Sequence, residues 1–186
     1  MATFAATNHS DVTFPPTQPA QAYSWYAVRV RSRFEFTAVR LLREKGIEQF
    51  LPSYRSRRCW SDRIKELELP LFPGYVFCRF DARSPLSVLT TPGVVDIVGA
   101  GRTPSPVSDD EINAIQDICC SGLPVEPWPY LKAGRHIRIE RGPLTGIEGV
   151  VIETKGCWRL VASISILGRS VAAEVEREWI RPLPLP

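Results

Sequence analysis

The sequence predicts an α+β chain of two small domains, and three observations carry that expectation. Helix-spaced and strand-spaced apolar patterns alternate up to about residue 121. From Gly134 onward the period changes to two, and glycines at 142, 146, 149, 156 and 168 punctuate β-branched runs. The 17 prolines gather at the start, between residues 104 and 129, and at the end, where they mark boundaries. The expected divisions are a disordered tail over 1–22, a first domain over 23–121, a linker over 122–131 and a second domain over 132–183.

The tail carries Thr, Ala, Pro and Gln with no periodic apolar pattern, too little surface to offset the entropy of ordering. Ser24-Trp25-Tyr26-Ala27-Val28-Arg29-Val30 reads as a strand, with Trp25 and Ala27 on one face and Tyr26, Val28 and Val30 on the other. Ser32 and Glu35 have capping-box spacing ahead of a helix with Phe34, Ala38, Leu41 and Leu42 on its apolar face, and Gly46 supplies a left-handed stop. The charged text from Arg55 to Lys65, with Trp60 inside it, reads as a mobile hairpin or long loop. Pro73-Gly74 then turns the chain into a strand over Tyr75 to Phe80. A short helix over Pro85 to Thr90 stops before Pro92-Gly93, and Val94 to Val98 makes another strand. Ser108 and Glu111 open a last helix with Ile112, Ile115, Ile118 and Cys119 at helical spacing. Three prolines between 124 and 129 favour a linker, and the glycine-punctuated runs beyond it suggest a small closed or nearly closed barrel.

Composition narrows the function. No run of 18 apolar residues exists to span a bilayer and no secretory start is visible, which places the protein in the cytoplasm. The five cysteines show no C-x-x-C spacing, and the two histidines match no nucleophile with an orienting carboxylate, so no metal, cofactor or catalytic set is expected. An enzyme using Cys59 or Cys78 stays open as a minor alternative. From Arg29 to Lys65 there are 11 Lys/Arg against 4 Asp/Glu, whereas Glu66 to Gly122 holds 3 against 8. That asymmetry suits either a solvated face or a polyanion partner. Arg29, Arg31, Arg33, Arg40 and Arg43 suit a phosphate backbone, with Phe34 or Trp60 able to stack on unpaired bases. Leu71 to Phe77 concentrates Phe72, Tyr75 and Phe77 around a rigid turn, which fits a packed sheet or an apolar pocket for a partner.

These segments together resemble the NusG family of transcription elongation factors across residues 24–183. The first half is similar in Trp25-Tyr26, Phe72-Pro73-Gly74-Tyr75-Val76, Thr91-Pro92-Gly93-Val94 and Pro106-Val107-Ser108-Asp109-Asp110-Glu111-Ile112. The second half resembles a KOW domain in Gly142-Pro143, Gly146, Gly149 and Ser165-Ile166-Leu167-Gly168-Arg169. The resemblance implies a NusG amino-terminal domain with a mainly antiparallel sheet and flanking helices, joined to a five-stranded, SH3-like KOW β-barrel. It implies a non-enzymatic, monomeric factor binding RNA polymerase, suppressing pausing and promoting antitermination. Trp25, Tyr26, Phe72, Tyr75 and Phe77 would shape the surface for the clamp helices, and Ser84, Pro85, Leu86 and Ser87 would face the gate loop. Arg31, Arg33, Arg40, Arg57 and Arg58 would lie towards the non-template DNA strand. Leu144, Ile147, Ile166, Leu167 and Arg169 would recruit a small-subunit ribosomal protein or Rho. The first strand and helix are more arginine-rich than in a housekeeping NusG, and the Arg55 to Leu69 stretch resembles the specialised RfaH and UpxY paralogues, which act on specific long operons. A housekeeping NusG and a KOW-type RNA-binding adaptor remain alternatives. The β-branched second half implies a barrel and not a stored helical hairpin.

Overall fold

The computed structural model describes residues 23–60, 63–101, 103–129, 135–154 and 156–183. The expected tail over 1–22, residues 130–134, and the side chains of Arg57, Arg58, Cys59 and Trp60 lie outside the described residues. In chain order the first half runs β1 (Ser24–Val30), α1 (Glu35–Glu44), β2 (Glu48–Phe50), β3 (Ser53–Trp60), β4 (Arg63–Pro70), β5 (Tyr75–Phe80), α2 (Leu86–Leu89), β6 (Val94–Ile97), β7 (Gly99–Ala100), β8 (Thr103–Pro104), β9 (Pro106–Val107) and α3 (Asp109–Cys120). The second half runs β10 (Val125–Pro129), β11 (Arg135–Ile139), β12 (Glu148–Thr154), β13 (Cys157–Ile164), β14 (Arg169–Val175) and β15 (Ile180–Pro182). Ser165–Leu167 and Arg177–Trp179 are single 3₁₀ turns.

The first sheet has the order β2-β5-β1-β6. One edge of β1 pairs with β5, while its other edge is shared by β6 and β9, so three partners enclose the apolar first strand. Alternation along β1 and β5 produces two cores. Trp25, Ala27 and Phe77 join the isoleucines of α3, whereas Tyr26, Val28, Val30, Val76 and Cys78 join Ala38 and Leu42 of α1. The charged stretch expected as a hairpin or loop is a hairpin, with β3 and β4 in register from Ser53↔Pro70 to Trp60↔Arg63.

The second sheet has the order β10-β14-β13-β12-β11-β15, and every recorded strand pairing in the chain is antiparallel. Ile137, Ile139, Leu144, Val151, Leu160, Ala162, Ile164, Val171, Ala173 and Val175 are buried within it. No pairing joins β10 to β15 among the described residues, so the expected five-stranded barrel, closed or nearly closed, is observed as an open path of six strands.

The sixth strand comes from the expected linker, a correction with a clear cause. Val125–Pro129 pairs with β14 from Val125↔Ala173 to Pro129↔Arg169, and it lies on the edge of the sheet. A proline lacks only the donor, and an edge strand tolerates that loss where the missing N–H would face away from its neighbour. The expected capping box at Ser32 also differs. Phe34 occupies the N-cap without a side-chain bond, and Arg33 adopts φ 67°. Glu35 is buried and accepts instead from the backbone N–H of Gly74, at 2.8 Å.

Candidate functional site

The face of the first sheet that carries Trp25 and Phe77 is built around the Leu71–Tyr75 turn. Gly74 has φ 84°, a value that favours glycine. Its N–H donates to the buried Glu35 carboxylate and its carbonyl accepts from Val30 N–H at 2.8 Å. Tyr75 N–H closes the turn onto the Phe72 carbonyl at 3.0 Å. Helix α1 and strand β1 therefore fix the angle at which Tyr75 leaves the turn. Phe72 stands edge-on to Phe77 with centroids 5.5 Å apart, and both are fully buried. Trp25 is also buried on this side. Tyr26 lies on the opposite side, 4.7 Å from Phe80 in the core beneath α1. Of the five expected aromatics, Tyr75 alone is only half-buried.

Helix α3 forms the rest of this face. Ser108 Oγ accepts from Glu111 N–H at 3.1 Å, as the capping spacing predicts, and Ile112, Ile115 and Ile118 are buried. The Glu111 side chain does not return to Ser108. Its carboxylate accepts from the backbone N–H of Ser165, at 3.0 Å, and so reaches the second sheet. Arg169 makes the companion contact. Its guanidinium lies 5.0 Å from the centroid of the Tyr75 ring, and Nη1 donates to the Pro73 carbonyl at 3.1 Å. Ile166 and Leu167 pack on the same cluster, which runs continuously from the first sheet through α3 into the second. Between α3 and strands β12 and β13 a groove of about 530 Å³ remains, lined by Ala114, Ile118, Val150 and Val161 among others. The two halves are thus docked, and the expected recruiting turn sits on the expected polymerase face.

The remaining candidates lie apart from this contact. Ser84, Leu86 and Ser87 are exposed, Leu86 to 69%, and Pro85 is half-buried. Lys45 ties their segment to α1 by donating to the Ser87 carbonyl at 2.9 Å and to Thr91 Oγ1 at 2.8 Å. Arg31, Arg33 and Arg40 are exposed around the start and outer side of α1. Arg29 is different, because it pairs with Asp96 through both carboxylate oxygens across the β1–β6 register. Arg57 and Arg58 stand on β3 opposite Glu66 and Lys65. Leu144 is buried within the second sheet and offers no surface, whereas Ile147, Ile166 and Leu167 are half-buried and Arg169 exposed.

Electrostatics add little reactivity. Burial pushes the Cys78 thiol up to about 12, and burial followed by the neighbouring Cys120 pushes Cys119 up to about 11. A thiol held in that range is protonated at neutral pH and a poor nucleophile. Among the described residues no group of three His, Cys, Asp or Glu stands ready to hold a metal ion, and no helix is long and apolar enough to cross a membrane.

Sequence reasoning missed Glu35, Lys45, Glu111 and Arg169 as the residues that fix these surfaces. Their partners lie 39, 42, 54 and 96 positions away, beyond any local period.

A family model described as "Transcription termination factor nusG" matches residues 23–116. A curated relative from Campylobacter jejuni, "Transcription termination/antitermination protein NusG", is 26% identical over 82% of this chain and 93% of its own length. Proteins of the same name from Pseudomonas aeruginosa and Vibrio vulnificus are 28% and 29% identical over 83% and 82% of this chain, and over 96% and 91% of their own lengths. Among solved structures, one described as "Domain interaction in Thermotoga maritima NusG" superposes with a TM-score of 0.53 at 22% identity, covering 88% of this chain and 98% of that one.

Proposed function

The chain belongs to the NusG family, and from that premise we propose that it is a cytoplasmic transcription elongation factor that binds RNA polymerase, suppresses pausing and promotes antitermination as a specialised paralogue on specific long operons. The observation that carries this reading is the Tyr75 and α3 face: a half-buried aromatic on a turn clamped by Glu35, bordered by apolar helix and contacted by Arg169 of the chain's own second sheet. A large apolar surface rimmed by polar groups is the usual form of a protein contact.

In this reading the clamp helices of the polymerase take the Tyr75 and α3 face. Trp25, Phe72 and Phe77 support that face from beneath, and Tyr26 supports the sheet from its other side. The gate loop meets Ser84 to Ser87. Arg31, Arg33, Arg40, Arg57 and Arg58 follow the displaced non-template strand. The monomeric factor spans the cleft and favours the closed clamp by binding it better than the open one, which requires no catalytic group. We assign 23–121 to the polymerase-binding domain, and the six-stranded sheet, extended backwards to include β10, to a KOW-type recruiting domain. Ile147, Ile166, Leu167 and Arg169 then offer its contact to a small-subunit ribosomal protein or Rho, with Leu144 supporting them from within.

Polymerase and the second sheet compete for one face under this reading, so productive binding releases the 165–169 turn at the same moment. The test is a single-round pause assay on a defined template with wild type and Tyr75→Ala, the latter checked for folding by circular dichroism. Shortened pauses with wild type and none with the variant support the proposal, whereas equal shortening by both removes Tyr75 from the contact. The matches spanning more than nine-tenths of several termination/antitermination relatives favour a general role as the second reading. A Rho-dependent terminator assay separates it, since a specialised antiterminator does not stimulate Rho.

A further inference from the structure

Ala114 and Ile118 of α3, with Ile147, Val150 and Val161 of the second half, line the groove of about 530 Å³ that runs beside the contact between the two halves. That volume lies within the usual range of ligand pockets. Ala114, Ile147 and Val150 are only half-buried, so apolar surface in the groove stays open to solvent. One end of it lies beside the point where the described chain begins. Ser165, in the lining, donates its N–H to Glu111 in the first turn of α3, and Glu111, Ala114 and Ile118 share one stripe of that helix. Asp109 opens the same turn at 4.0 Å from Nη2 of Arg79, and Nε of Arg79 donates to the Tyr23 carbonyl at 3.3 Å. Residues 1–22 therefore join the fold at the start of α3. From Asp109 to Ile118 the helix rises only about 14 Å. The nine residues from Phe14 to Ala22 reach about 30 Å when extended, more than enough to place Phe14 in the groove.

We propose that residues 12–16 of this chain occupy the groove, with the Phe14 ring between Ala114 and Val150, and that the amino-terminal segment thereby straps the second sheet to α3. Val12 and Phe14 stand two apart, a spacing that puts both side chains on one side of an extended chain. Pro15 and Pro16 follow at once, and prolines restrict a segment before it binds and so lower the cost of ordering it. Residues 1–22 contain no Lys or Arg and a single carboxylate, Asp11, which suits an apolar contact and not an ionic one. Alone, the segment has too little surface to offset its ordering; the groove supplies the missing surface. Its walls come from both halves, so a ring held between them is released when the halves part. The inference rests on the docked contacts of Glu111 with Ser165 and of Arg169 with Tyr75, and it is independent of what polymerase binds.

The experiment is methyl NMR and amide exchange on the free full chain, comparing wild type with Phe14→Ser, a substitution outside both buried clusters. Wild type is expected to show nuclear Overhauser contacts from the Phe14 ring to the Ala114 and Val150 methyls, unchanged by dilution or by added salt. In Phe14→Ser those methyls are expected to shift, while the Val28 and Leu42 methyls beneath α1 stay in place. Exchange of the Ser165 amide is expected to quicken by about three- to tenfold, the net of one ring's burial and the ordering of its segment. Groove methyls that do not move in Phe14→Ser overturn the proposal. So do Phe14 contacts to residues outside the groove, and contacts that fade on dilution, which would assign the groove to a second copy of the chain. Contacts as expected with unchanged Ser165 exchange overturn the strap. A Ser165 amide that is unprotected already in wild type overturns the inference together with the docked arrangement, while the polymerase contact through Tyr75, read from the pause assay, stands or falls separately.

Discussion

Replacing Arg169 by alanine tests the docked arrangement at its most accessible point. The substitution removes a guanidinium 5.0 Å from the Tyr75 ring centroid and a hydrogen bond of 3.1 Å to the Pro73 carbonyl, while the buried strand positions around it are untouched. A cation over an aromatic ring at an exposed site contributes about 0.5–1 kcal/mol. A hydrogen bond of this kind adds a net of about 1 kcal/mol. The docked state therefore loses about 1.5–2 kcal/mol, roughly a 10- to 30-fold shift towards the open state. If polymerase takes only the open state, its apparent dissociation constant falls by up to the same factor, because affinity scales with the fraction competent to bind. The assay is a titration of core polymerase with wild type and Arg169→Ala, with amide exchange at Ser165 followed in the free proteins. Faster exchange at Ser165 and tighter binding by the variant are expected. Unchanged exchange together with unchanged affinity would refute the reasoning, since the contacts would then contribute nothing to docking.

Three further outcomes follow from the first domain. Glu35→Ala leaves the half-buried Gly74 N–H without its acceptor, so urea unfolding is expected to show a loss of about 1–3 kcal/mol, with Glu35→Gln retaining part of it. The Arg83 side chain and backbone bonds hold the Asp81 carboxyl below its usual 3.8; its stabilising effect is present above that value and lost as pH falls through the lowered pKa. The Asp81 carboxyl titration by NMR is therefore expected to lie below 3.8 and to return towards it in Arg83→Ala. Thiol labelling at neutral pH, mapped by mass spectrometry, is expected to modify the exposed Cys120 well before the buried Cys78, whose thiol is pushed up to about 12.

The fold was legible where a local period coincided with burial. Alternation separated Trp25 and Ala27 from Tyr26 and Val28, and it placed Phe77 opposite Val76 and Cys78, as the two cores confirm. The Ser108 cap and the isoleucines of α3 followed from spacing alone. Legibility ended where a residue served a distant partner. Glu35 stood at capping-box spacing, yet the turn at Gly74 claimed its carboxylate; Glu111 capped with its N–H and sent its side chain to Ser165. Prolines 124, 127 and 129 signalled a break in any ladder, but β10 is an edge strand and keeps its pairing to β14 despite them. The short β15 was invisible because three residues ending in proline carry no period. For the candidate site, the sequence located Tyr75 and the 165–169 turn in separate halves, and nothing in either half indicated that Arg169 stacks on Tyr75.

Under the proposed function, one face of the first domain serves two partners in turn, the second sheet and the polymerase. The most direct measurement is hydrogen exchange at the Ser165 amide in the free protein and in its complex with core polymerase. Protection in the free protein, where Glu111 accepts that N–H, and its loss in the complex are predicted. A Ser165 amide that stays protected while polymerase is bound would contradict the account, because the second sheet would then still cover the face assigned to the enzyme.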